Sequence, residues 1–390
     1  MSAVTSFPYR RLASLYGLYF AILGAFIPYW SVYLKAQGYT SAEIGQLMAV
    51  VMGTKILAPN LWAWLVNHTG RPINLMRLAT AMAAIIFAGI FAVTGYWPLA
   101  AIMAGYSFFW HAVLPQFEVL TLNHLGPAQV HRYSRIRLWG SIGFIIAVAG
   151  IGGLLDQVDV GWLPPLVFGL LAALALMTWC VPAAPRLPHP HGDSGLGQAL
   201  RNPAAIALLL SCLLMQASHG PYYTFFTIFL EDTGYPRGIV GSLWALGVLA
   251  EIGVFLLVHR WLTRFGAERL LLWSMLITAA RWLLIAGGAA WPAVLIAAQL
   301  MHAASYGLFH AAAIHLLHRL FPGRAHTPGQ ALYSSLSFGL GGALGSLVSG
   351  QLWDSWGGAG TFALAGLVAA AAGAVVARWL VSRPTTTPQT

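Results

Sequence analysis

The chain has 390 residues, of which 58% are apolar and 8% charged, with a mean hydropathy of +0.72, against about 25% charged in ordinary globular chains. So few charges cannot solvate a soluble surface, and a soluble fold is excluded. The net charge of +10 would suggest nucleic acid in a soluble protein, but the basic residues fall between apolar stretches, where membrane topology explains them instead.

Arg10 and Arg11 precede an apolar run far longer than a signal-peptide core, with no small-residue cleavage site, so the first span is expected to stay in the mature protein. Apolar stretches divided by polar or Gly/Pro punctuation predict twelve transmembrane helices, near 11–35, 41–66, 74–95, 97–124, 135–155, 161–182, 204–230, 237–260, 268–287, 291–318, 328–350 and 359–381. The stretch from Pro182 to Pro203, with Pro185, Pro188, Pro190, His189, His191 and Asp193, cannot span and reads as a linker. The expected organisation is an N-terminal six-helix half at 1–182, a cytoplasmic linker at 183–203 and a C-terminal six-helix half at 204–390. Cys180 and Cys212 sit in unrelated apolar segments without metal or disulfide spacing.

Alternate connections differ sharply in Lys and Arg. One side holds sixteen, from Arg10 and Arg11 through Arg71, Arg77, Arg132, Arg135, Arg137, Arg186 and Arg201 to Arg383, and the other holds Lys35 and Arg237. That asymmetry predicts two cytoplasmic termini and an even number of spans in the inner membrane.

The halves repeat. Leu34, Gly38, Tyr39, Ile44, Gly45 and Leu47 recur at a constant offset of 196 as Leu230, Gly234, Tyr235, Val240, Gly241 and Leu243. At the same offset, intramembrane Lys55 meets intramembrane Glu251, and at an offset of 198 Gly152-Gly-Leu-Leu-Asp156 resembles Gly350-Gln-Leu-Trp-Asp354. The matches keep one membrane orientation, as parallel repeats do, and two parallel six-helix halves form the major facilitator arrangement.

An ionisable group at mid-bilayer costs at least about 2.5–3.5 kcal/mol, so each that persists is expected to face a cavity or a partner. Lys55, Glu251, Arg281, His111, His219 and His302 fall near the middle of their spans, and Glu118 and His310 lie toward the cytoplasmic end. Glu251 reads either as a structural ion pair with Arg281 or as a proton-carrying carboxylate. Lys55 is a candidate partner for Glu118 or Glu251. His302 and His310, eight residues apart, share nearly one helix face. Gly341 and Gly345 have the spacing of helix contacts. There is no nucleotide loop, zincin motif or nucleophile elbow, so an enzyme is not expected.

The run Tyr133-Ser-Arg135-Ile-Arg137-Leu-Trp-Gly-Ser-Ile-Gly-Phe144, preceded by Pro115-Gln-Phe-Glu118, resembles the 3-phenylpropionate permease family and, more distantly, the lactose permease group of proton symporters. Gln216-Ala-Ser-His219-Gly-Pro-Tyr222-Tyr223, Ala280-Arg281-Trp282 and Gln299-Leu-Met-His302 extend the resemblance over nearly the whole chain. It implies proton-coupled uptake, with Glu118 and Arg137 holding substrate and Phe144 stacking on it. It also carries the acid of the eighth span onto Glu251, the arginine of the ninth onto Arg281 and the histidine of the tenth onto His302. The sequence departs from the group at Ser305, where the group carries its protonatable carboxylate, and at Asn67 and His68, where an acid and a base are usual. Proton coupling is therefore expected of Glu251 with His302 or His310.

Arg137 and Arg281 can grip a carboxylate bidentately, Trp30, Tyr29, Tyr222, Tyr223 and Phe144 can wall an aromatic ring, and His219 is expected among the substrate-binding residues. The expectation is a monomeric secondary transporter of a small aromatic carboxylate, working by alternating access amid membrane lipid, with protons as coupling partner and no cofactor, metal or nucleic acid. The alternatives are a sugar or nucleoside proton symporter, a drug exporter, or a non-transporting membrane receptor.

Overall fold

A computed structural model of the chain describes residues 7–184 and 195–382, without the side chains of Pro127 and Ala128. The linker signals from Pro185 to Asp193, and Arg383, lie outside the described residues.

Every regular element among the described residues is helical. Eleven helices are long and apolar enough to cross a membrane. They are α1 (Tyr9–Ala36), α2 (Ser41–Thr69), α3 (Pro72–Phe91), α4 (Tyr96–Gly126), α5 (Val130–Leu155), α6 (Val160–Cys180), α7 (Pro203–Asp232), α8 (Arg237–Phe265), α9 (Ala267–Gly288), α10 (Pro292–Leu320) and α11 (Gly323–Val381). The expected spans 328–350 and 359–381 both fall in α11, whose 59 residues far exceed the roughly 20 that one crossing needs. Gly357, at φ +66° and ψ 176°, breaks the helix between them.

Local chemistry sets the helix ends. Pro72, Pro203 and Pro292 stand in the first turn of their helices, where no intrahelical N–H bond is lost. The Asn202 side chain accepts the Ala204 N–H at 3.0 Å and caps α7. Inside α7 the helix is interrupted at His219, just before Pro221. Helix α10 passes through a π-helical stretch at Ala303–Leu308, and α11 through others at Ser335–Gly341 and Ala377–Val381. Such bulges gather at functional positions.

The described residues sort into two compact units. The first draws on Met1–Gly38, Leu57–Pro190 and Pro236–Ala245, and the second on Tyr39–Ile56, His191–Tyr235 and Leu246–Thr390. Helices α2 and α8 therefore each contribute a segment to both.

In the first unit α1 packs on α5 and α6, and α3 on α4 and α6. Its core is aromatic: Phe26 stacks on Trp30 at 4.7 Å, and Phe87 meets Tyr106 edge-on at 5.1 Å. Asp156, at the end of α5, accepts the N–H groups of Arg237 at 2.7 Å and Gly238 at 2.9 Å, so it caps the start of α8.

In the second unit α11 packs on α7 and α9, over a core that includes Leu208, Cys212, Met275, Phe309 and Leu316. Asp354, the repeat partner of Asp156, accepts the Ser41 hydroxyl at 2.6 Å, at the start of α2. Lipid tails are as apolar as leucine, so helices associate in a bilayer through close packing of small residues. Gly45 and Gly350 show this contact, since a Cβ on Gly45 would lie 2.7 Å from the Gly350 Cα.

Candidate functional site

In the first unit, α5 begins with the basic run that ends at Arg137. The Arg137 guanidinium lies 4.0 Å from the Phe20 ring centre and 5.8 Å from that of Tyr16, both on α1. No carboxylate lies within 4.0 Å of it among the described residues, although Glu118 on α4 feels its charge and faces Tyr133. Tyr16 is wholly buried and donates to Thr121 at 3.4 Å. Phe144, two turns further along α5, is buried, with its backbone against Gly24 of α1. Glu118, Arg137 and the α1 aromatics thus form one polar group, and Phe144 packs between helices. Tyr29 donates to the Val148 carbonyl at 2.6 Å and Trp30 is fully buried, so both are packing residues.

The second unit holds a denser cluster. Arg281 on α9 has no exposed surface. Its Nε donates to the Ala298 carbonyl at 2.8 Å, one terminal nitrogen to Ser305 Oγ at 3.0 Å and the other to Gln299 Oε1 at 3.2 Å. Tyr222 and Trp282 lie against its guanidinium at 4.3 and 4.5 Å. The Arg281–Glu251 ion pair, one of the two readings of Glu251, does not form. The three acceptors are neutral, and Glu251 on α8 instead approaches His302 Nε2 at 3.8 Å. The cause is local: the α10 carbonyl and side chains that meet Arg281 come from residues 298–305, and they use its donors first.

Tyr222 donates to Gln299 Oε1 at 3.0 Å. His219, at the break in α7, donates from Nδ1 to the Met215 carbonyl at 2.8 Å, stacks on Tyr223 and meets Trp282 edge-on. His302, Tyr306 and His310 form a ladder along α10, with planes within 14° and 10° of parallel. His310 lies 3.4 Å from the Tyr333 hydroxyl. The structure therefore gathers His219, Tyr222, Tyr223, Arg281, Glu251 and His302 in one unit, with His310 further along the ladder. Lys55 reaches only the Met52 sulfur, at 3.5 Å, with no carboxylate within 4.0 Å among the described residues.

Sequence reasoning gave no role to Gln299, Trp282 and Tyr306. Gln299 binds both Tyr222 and Arg281, and only its position one turn before His302 could have marked it. Tyr306 lies four residues from each ladder histidine, a spacing visible in the sequence.

Four buried polar nitrogens in or beside this cluster, Gln216 Nε2, His219 Nε2, Gln299 Nε2 and His302 Nδ1, have no hydrogen-bond partner among the described residues. Native proteins leave few such groups, and each needs a cause such as a bound ligand or water. The cluster thus combines a buried cation, aromatic walls and unused polar atoms.

Residues 9–364 match the MFS_1 like family. The chain belongs to that family. Its members among the relatives are membrane transporters, and this chain is a multi-pass transporter with no enzymatic activity implied by its kin. It is 31% identical to the probable 3-phenylpropionic acid transporter of Escherichia coli strain K12 over 371 residues, 92% of this chain and 95% of that protein. It is also 31% identical to the maltose permease of Geobacillus stearothermophilus over 354 residues, 87% of this chain and 86% of that one. The fold resembles the crystal structure of the nucleoside transporter NupG, with a TM-score of 0.83 at 17% identity, covering 97% of this chain and 99% of that one.

Proposed function

We propose that this transporter carries a small aromatic carboxylate into the cell together with protons, by alternating access across twelve helices with both termini cytoplasmic. The observation that supports it most is the buried Arg281, which has no carboxylate within 4.0 Å among the described residues. A buried cation without a counter-ion is costly, and an anionic solute relieves that cost. Arg137 on its aromatic faces supplies a second planar donor fork for a carboxylate. Tyr222, Tyr223 and His219 offer flat apolar surface for a ring. The proton is carried by Glu251 with His302, and His310 continues the ladder. The protein works as a monomer in the inner membrane and needs no cofactor beyond the proton gradient.

A neutral sugar or nucleoside is the second reading, favoured by the equal identity to a maltose permease. Reconstitution in liposomes with an imposed pH gradient separates the two. Accumulation of a labelled phenyl-substituted propionate, unaffected by excess maltose or nucleoside, is the expected result. Accumulation of a neutral sugar instead would replace the carboxylate reading with the second one.

A further inference from the structure

A cavity of about 240 Å³ opens in the first unit, and none of the substrate or proton residues proposed above lines it. It lies where three spans end together, since α3 starts at Pro72, α4 ends at Gly126 and α6 ends at Cys180. The arginine count predicts this end to be cytoplasmic. Drug-sized ligands occupy about 300–1,000 Å³, so this space suits a smaller headgroup-sized guest.

Its polar lining is unusual because none of it is used by the described residues. Arg71, Asn74, Gln116 and Asn123 all face the cavity. Their side chains make no hydrogen bond or ion pair among the described residues, and Gln116 is only 9% exposed. Gln116 and Asn123 are seven residues apart on one face of α4, which sets a polar floor about 10 Å inward from a polar rim. Helix α3 adds backbone donors. Leu75 N–H bonds the Arg71 carbonyl, Pro72 has no N–H, and the N–H groups of Ile73 and Asn74 are left without an acceptor among the described residues. Both residues line the cavity.

The wall opposite is fixed in place. Arg77 donates to the Thr178 and Val181 carbonyls at 3.4 and 3.3 Å and lies over Trp179, while His124 reaches the Pro182 carbonyl at 3.2 Å. These contacts hold Ala183 and Ala184 at the cavity edge. Arg77 is thus spent on the protein, and Arg71 is not. No Asp or Glu among the described residues lines the cavity.

We infer that this cavity binds a phosphate ester at the membrane surface, with Arg71 and the α3 amide groups on the phosphate and the amides of Gln116, Asn74 and Asn123 on its ester and hydroxyl oxygens. A helix start with a free arginine favours an anion with several acceptor oxygens. The depth, at the polar end of three spans, is that of a phospholipid headgroup. The same chemistry also suits free phosphate from the cytoplasm.

The test uses the full-length purified protein in neutral detergent, titrated with phosphatidylglycerol, phosphatidylcholine or inorganic phosphate. Bound lipid is counted by native mass spectrometry, and thermal midpoints are read in parallel. Phosphatidylglycerol is expected to bind and raise the midpoint. Arg71→Ala is expected to weaken that binding about tenfold or more, and Gln116→Leu to weaken it less. Arg324→Ala, a basic residue at the start of α11 outside this cavity, should leave it unchanged. Inorganic phosphate giving the same Arg71-dependent shift supports the site with a soluble ligand. Equal losses from Arg71→Ala and Arg324→Ala would reduce the effect to general surface charge and overturn the inference. So would equal binding of phosphatidylcholine, or no response to either phosphate source.

Discussion

Two arginines inside the spans are held in opposite ways. Arg281 is completely buried and fixed by three hydrogen bonds to neutral acceptors. Arg137 rests on the faces of Phe20 and Tyr16, with its donors uncommitted. One side chain is satisfied as a donor but not neutralised as a charge, and the other is positioned but unspent. On the proposed reading, a substrate takes new hydrogen bonds from Arg137 without breaking any made among the described residues. At Arg281 it gains chiefly from the field of a positive charge, which is strong where water is excluded. The two differ as a gripping hand differs from a fixed electrode, and substitutions should separate them.

The largest effect is expected at Arg281. In Arg281→Lys a compact ammonium cannot serve the Ala298, Gln299 and Ser305 oxygens in one plane. Buried acceptors left unpaired cost about 1–3 kcal/mol each, so the thermal midpoint in detergent should fall by several degrees and transport should vanish. A variant that keeps its midpoint yet loses substrate affinity would make Arg281 the gripping residue instead. Glu251→Gln comes next. The variant imitates a permanently protonated acid beside His302, so it should exchange substrate across liposomes yet fail to accumulate it under a pH gradient. Normal accumulation would move proton carriage to His302 and His310.

A smaller, more selective loss is expected for Arg137→Lys. The charge remains, but the planar fork and its stacking on Phe20 are lost. Substrate affinity should fall about tenfold, which is roughly 1.4 kcal/mol, while the thermal midpoint stays where it was. Equal falls in affinity and midpoint would erase the contrast with Arg281.

How much of this was legible beforehand follows from which forces act in sequence. Helix positions were legible, because bilayer thickness imposes runs of apolar residues that survive any packing arrangement; the expected span 97–124 is found as Tyr96–Gly126. The ionisable members of the cluster were legible in part, since charged or histidine side chains inside spans are few, but Gln299, Trp282 and Tyr306 carry no such mark and Lys55 does not join it. Its wiring was not. Whether Arg281 meets Glu251 or Gln299 depends on side-chain reach from neighbouring helices, and α10 changes its own phase in the π-helical stretch Ala303–Leu308. Nothing in a 3.6-residue period announces that shift. The sorting of α2 and α8 into both units likewise rests on helix contacts, which hydropathy does not encode.

The smallest effects are expected at the repeated aspartates, where the two units differ in a way that sequence similarity hides. Asp156 and Asp354 occupy matching places in the repeat, yet Asp156 accepts two backbone N–H groups at the start of α8, and Asp354 accepts one hydroxyl, that of Ser41, at the start of α2. A carboxylate on free N–H groups satisfies donors that the helix itself cannot and meets the positive end of the helix dipole. A hydroxyl has rotational freedom and can find another acceptor. Asp156→Asn should therefore cost about 1–2 kcal/mol and Asp354→Asn about half of that or less. Thermal midpoints of the two variants in one detergent measure the ratio. Equal costs would mean that Asp354 also works on the α2 helix start through its charge, and the two ends of the repeat would then be equivalent.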